Sequence, residues 1–275
     1  MKIFLLSTLL LISFSAFSQS YLILNNGTTL TLDRSGHVYD FYQVHLVDQI
    51  NHAGGRYFVK DNKLVTVDVS GFLFEKDKKI EGVKARGSNF ILLEGNKIIT
   101  VDSQGFYYEY EHQAISNIIN HGGNFFLSKT KNDSINTDLY TVDKKGKLLK
   151  VLIEGLSSSE ILVFGRMYLQ TTSGIIHTVS KYGAVTTYNK LDIGKITKSG
   201  GNFFIDSNEK LFTVSDEGVL LTPPLPIGLK VSEVQKAGGN FFIDSSGRLF
   251  TVDEAGSLSE QSVLHDLSDL KIIGT

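Results

Sequence analysis

The chain contains no cysteine, no tryptophan, two methionines and only three prolines in 275 residues. Without cysteine there is no disulfide framework, no thiolate metal site, no thiol nucleophile and no lipid-modified cysteine. A lack of charge bias excludes more: 27 Lys and Arg face 29 Asp and Glu, for a formal net charge of -2. That balance gives no ground for nucleic acid or an anionic membrane as partner. Past the first residues, no apolar run approaches the roughly 20 residues that a spanning helix needs. What the chain does have is 41% hydrophobic residues, 18 Phe, 11 Tyr and 26 Gly, a composition suited to many short strands and tight turns.

Residues 1–18 read as a secretory signal peptide. Lys2 supplies the positive start, residues 3–14 the apolar stretch, and Ala16 and Ser18 the small residues ahead of a cleavage point. The expected mature chain is a single domain over 19–275, exported to the periplasm or secreted and free of membrane insertion.

Seven copies of one pattern fill that domain. An apolar-x-Thr-Val-Asp/Ser-x-x-Gly line recurs around Thr31, Thr66, Thr100, Thr141, Thr178, Thr213 and Thr251, at a mean spacing near 37 residues. Ahead of most copies stands a line such as GGNFFID (200–206 and 238–244), and ahead of that a stretch such as VSEVQKAGG (231–239). Each unit then holds four short strands, here lettered A to D, which is the content of one propeller blade. The first unit starts directly on strand B at Tyr21, while the chain ends on an unpaired strand A, LSDLKIIG (267–274). The sequence therefore predicts an all-β, seven-bladed propeller of four-stranded blades. Its ring is closed by the C-terminal strand pairing near Tyr21 to Leu24.

The segment KVSEVQKAGGNFFIDSSGRLFTVDEAG (230–256) resembles the repeats of the regulator-of-chromosome-condensation family of seven-bladed propellers. The resemblance implies the fold. It departs where the family has His after the glycines, since Asn89, Asn124, Asn202 and Asn240 stand there, and where the family ends its third strand in Trp-Gly. Nucleotide exchange and chromatin binding are not carried over.

Candidate chemistry is sparse. Asp33, Asp68, Asp102, Asp143 and Asp253 each open an Asp-x-x-Gly turn, so their repetition reads as turn chemistry and not as a catalytic cluster. No histidine spacing matches a metal motif, and no metal or cofactor is expected. On the assumption that strand A lines the channel, Lys195, Glu233 and Asp269 are channel candidates. The departures between units lie on one face. Thr130, Lys131, Asn132 and Asp133 sit in an insertion between strands B and C, and Pro223, Pro224 and Pro226 in one D–A crossover. These loops are the expected recognition surface of a monomeric, non-enzymatic scaffold for a protein or glycan partner. The alternative is a glycan-acting hydrolase or lyase with its site at the channel mouth.

Overall fold

The computed structural model describes residues 20–33, 35–42, 50–130, 133–153, 156, 160–189 and 193–273. The signal segment therefore lies outside the described residues, as do Lys131 and Asn132. Seven four-stranded antiparallel sheets make up the molecule. Blade 2, for example, runs through Ile50–Ala53, Tyr57–Lys60, Lys63–Val67 and Leu73–Lys79 as strands A to D. Among the described residues no helix is long and apolar enough to cross a membrane.

Burial follows radial position. Strands B and C of blades 5, 6 and 7 are buried at every residue, because a neighbouring blade covers each face. This is why NFFID and LFTVD read as continuous apolar runs without alternation. Phe203, Ile205 and Leu211 of blade 6 pack against Phe242, Phe250 and Val252 of blade 7. The D strands keep an exposed face and form the rim. Strand A is innermost.

The repeated threonines do more than favour strand structure. Thr66 Oγ1 donates to Gly105 O at 2.7 Å, and Thr213 Oγ1 to Gly256 O at 2.7 Å, each bond crossing to the next blade. Thr100 and Thr178 bond Gly146 O and Gly218 O in the same manner. The turn aspartates behave as expected. Asp68 Oδ1 accepts from the N–H groups of Ser70 and Phe72, and Asp143 Oδ1 from those of Lys145 and Lys147.

Closure is observed. Strand Leu270–Ile273 pairs antiparallel with Ser20–Leu24, matching Leu22 with Ile273, Ile23 with Ile272 and Leu24 with Leu270. One detail differs from the sequence reading. The first half of 267–274 is not strand but a 3₁₀ turn, Leu267–Asp269, whose start is capped by the Asp266 side chain accepting from Ser268 N. Val231–Glu233 forms the equivalent turn. The insertion in blade 4 also differs from a simple loop: it lengthens strands B and C into a hairpin, Phe125–Thr130 and Asp133–Val142, with Thr130 opposite Asp133.

Candidate functional site: the axial channel

The seven innermost strands are Ile50–Ala53, Val83–Arg86, Ile118–Gly122, Ile161–Phe164, Ile196–Ser199, Val234–Ala237 and Leu270–Ile273. Together they carry five cations, Lys84, Arg86, Lys198, Lys236 and Lys271, and two histidines, His52 and His121. They carry no Asp or Glu. A chain with a slight acidic excess thus surrounds its own axis with positive charge. On the side of blades 1 to 4 these strands line a cavity of about 540 Å³ whose walls include Asn51, His52, Arg86, His121 and Lys271. Burial and the neighbouring Arg86 charge hold the His52 imidazole below its ordinary pKa. On the far side of the axis, lysines reach across to backbone oxygens of the next blade. Lys198 Nζ donates to Val234 O, and Lys236 Nζ to the carbonyls of Leu267 and Ser268 at 3.3 Å.

The A–B turns close one end of this channel. Gly55 N and Arg56 N both donate to Ser88 O, at 2.8 and 3.1 Å, and Ser88 N donates to Gly123 O at 2.6 Å. Further round, Arg166 N donates to Gly201 O, and Gly201 N and Asn202 N to Gly239 O. The glycine turns therefore form a hydrogen-bonded collar, in which a Cβ on Gly123 would stand 1.8 Å from Gly165 O and one on Gly201 2.6 Å from Gly239 O of the next turn. Gly87, Ser88, Gly122 and Gly123 of this collar form the cavity floor.

Beyond the collar lies a cluster of buried charge. Arg56 and Arg166 are almost fully buried, as is Asp216. They border a cavity of about 20 Å³, together with Asn89 and Asn124. That volume suits a single water. Arg166 Nε and Nη1, Asn89 Oδ1 and Asp216 Oδ2 are buried there without a protein hydrogen-bond partner. Burial pushes Asp216 up to about 6, against the opposing pull of Arg166, Arg56 and Lys181. A raised carboxyl binds its proton more tightly in the folded state than in the unfolded chain. Its contribution to stability is therefore complete below about pH 4 and is lost as pH rises to about 6. Across that window Asp216→Asn should gain roughly 2–3 kcal/mol relative to wild type, because each tenfold difference in proton affinity is worth about 1.4 kcal/mol. Urea midpoints of both proteins at pH 4 and pH 7 check this, and a pH-independent difference would contradict it.

The structure gives the sequence-derived candidates definite places. Lys195, Glu233 and Asp269 each stand one residue ahead of an innermost strand, at the channel rim. Their carbonyls accept from the B–C turn of the same blade: Ser207 N to Lys195 O at 2.8 Å, Ser245 N to Glu233 O at 2.9 Å, and Asn25 N to Asp269 O at 3.0 Å. Glu233 also pairs with Lys230 at 2.8 Å. These bonds show that B–C turns and D–A crossovers share one face. The proline crossover is held from the next blade, where Arg248 donates to Gly228 O at 2.9 Å and pairs with Asp244 at 2.8 Å. Thr130 and Asp133 lie at the end of the blade 4 hairpin on that face. His52 and His121, on blades 2 and 4, meet at the same cavity. Among the described residues no three His, Asp or Glu side chains group closely enough to hold a metal. Sequence reasoning missed the basic channel, although the signal was present. The seven innermost strands hold no acids, and four of them, VKAR, ITKS, VQKA and LKII, hold Lys or Arg.

No protein-family model matches the sequence, and no curated protein matches it. Several solved structures are similar in fold. A catalytically inactive virginiamycin B lyase from Staphylococcus aureus, solved with quinupristin, is 13% identical over 90% of this chain and 96% of its own, with a TM-score of 0.36. The extracellular domain of a hybrid two-component system from B. thetaiotaomicron is 14% identical over 91% of this chain and 39% of its own, with a TM-score of 0.32. PorZ, a surface component of the type-IX secretion system of Porphyromonas gingivalis, is 10% identical over 88% of this chain and 41% of its own, with a TM-score of 0.22.

Proposed function

We propose that the chain is an exported, non-enzymatic binding propeller that docks a protein partner on its crossover face. Export is supported by the residue pattern of 1–18. The docking face is supported by one observation. Among the described residues the three most exposed large hydrophobic side chains, Leu152 at 80%, Ile227 at 98% and Leu264 at 101%, all stand on D–A crossovers. They come from three different crossovers of one face, the face that also carries the proline loop and the blade 4 hairpin. Apolar side chains held this far into solvent on one face offer anchors that a partner surface would bury. The exposed aromatic residues of the opposite face differ. Phe72, Phe106 and Tyr182 are 54–60% exposed, and Lys76 lies over Phe106 while Lys144 and Lys181 lie over Tyr182.

The test is a triple substitution, Leu152→Ser, Ile227→Ser and Leu264→Ser. Substitutions at such exposed sites usually change stability by within about 0.5 kcal/mol each, so the ring should stay folded. Capture of the partner from envelope extract should fall by an order of magnitude or more, as expected when apolar anchors leave an interface. Undiminished capture by the folded triple variant would move the docking surface elsewhere.

A further inference from the structure

We propose that the axial cavity is a second binding site, which takes a small polar molecule through an oxyanion group, a carboxylate or phosphate. It is separate from the crossover tips and does not depend on a protein partner docking there. Four features of the cavity lead to this chemistry. Charge comes first: Arg86 and Lys271 project from the innermost strands, and no Asp or Glu lies anywhere on those seven strands. A cleft lined by one sign of charge, with low-dielectric walls, focuses its field and concentrates ions of opposite sign. Shape is the second feature. The collar of A–B turns closes the floor, and about 540 Å³ is a volume typical of small-molecule sites.

The third feature is the absence of alternatives in the wall. Among the described residues no Phe or Tyr lines the cavity, so they offer no platform for stacking a neutral sugar ring. Among the described residues no carboxylate lines it either, so they offer nothing that recognises a cation. The fourth is the supply of hydrogen-bond donors. Arg86 presents a planar fork that matches the two oxygens of a carboxylate or phosphate. His52 and His121 flank it from blades 2 and 4, with the Asn51 amide close by. At the floor stands Ser88, whose Oγ is buried without a hydrogen-bond partner. Lys271 comes from the strand that closes the ring, so the cavity wall is complete only in the closed propeller.

Isothermal titration of the folded protein with citrate, glucuronate and inorganic phosphate, and with neutral glucose, tests the assignment. At least one oxyanion probe should bind with one-to-one stoichiometry while glucose does not. The probe that binds best distinguishes carboxylate from phosphate as the recognised group. Affinity should weaken as ionic strength rises from about 0.02 to about 0.3 M, over which the Debye length shortens several-fold. Arg86→Gln with Lys271→Gln should weaken binding about tenfold or more, consistent with loss of charge-assisted hydrogen bonds. Both side chains are exposed, so an unchanged melting temperature is expected and serves as the folding control. Arg86→Lys should recover part of the affinity. The crossover triple variant should bind the probe as wild type does, which separates this site from the docking face. Failure of every oxyanion probe to bind, equal binding of glucose, or full binding by the double variant would overturn the proposal.

Discussion

Truncation after Asp266 should destabilise the propeller by about 3–6 kcal/mol. The removed segment does three things at once. Leu267, buried to 2% exposure, belongs to the apolar cluster that joins blade 7 to blade 1, with Leu22, Leu24, Phe241 and Ile243. Leu270 packs against the same cluster. Strand Leu270–Ile273 pairs with Leu22, Ile23 and Leu24, whose edge would be bare without it. Leu267, as a fully buried aliphatic side chain, accounts for about 1.5–3 kcal/mol, partly buried Leu270 adds less, and the lost strand pairing brings the total to that range. A domain of ordinary stability has about 5–15 kcal/mol in total. For a chain of this size the melting temperature should fall by about 2–4 °C per kcal/mol, so roughly 6–24 °C. The uncovered edge should also promote concentration-dependent association, visible by light scattering. An unchanged melting temperature would show that the ring is held shut by the blade faces alone.

The same segment illustrates what was legible in advance. An orphan strand A at one end and a missing one at the other are a matter of counting, and counting survives degeneracy. The Asp-x-x-Gly turns were legible because the geometry they require is local: Asp68 and Asp143 bond N–H groups two and four residues on. The threonine bonds between blades were not legible. The oxygen that Thr66 meets belongs to Gly105, 39 residues away, and nothing local marks that partner. A degenerate strand hid its own register for a related reason. In VSEV and LSDL the apolar residues are three apart, which suits a 3₁₀ turn followed by a strand as well as it suits a bulged strand. Placing strand A too early put Glu233 and Asp269 in the channel lining, and it obscured Arg86, His121 and Lys271. Those residues lie on the strands that converge on the cavity. The channel's charge becomes visible only when seven separated tetrapeptides are read as one surface, which needs the closed ring first.

Gly123→Ala tests how tightly that ring is drawn at its centre. Gly123 lies at φ +52, and a Cβ there would stand 1.8 Å from Gly165 O and 2.3 Å from the carbonyl carbon of Gly165. The obstruction is the backbone of the next blade, so no side-chain rotamer relieves it. Two costs add. The left-handed conformation penalises alanine by about 1–2 kcal/mol. Overpacking against a fixed neighbour adds about 1–3 kcal/mol or more. The expected loss is therefore about 2–5 kcal/mol, measured by denaturant midpoint. Gly95→Ala supplies the matched control, because Gly95 has φ +70 and nothing stands within 4 Å of the place its methyl would take. It should cost only the conformational part, about 1–2 kcal/mol. The difference between the two variants isolates the collar. Since Gly123 also accepts the Ser88 N–H bond and forms part of the cavity floor, displacing it should weaken oxyanion binding as well, whereas Gly95→Ala should leave binding intact. Equal destabilisation by the two substitutions would mean that the A–B turns yield freely, and that the channel floor is not the rigid closure the hydrogen-bonded collar describes.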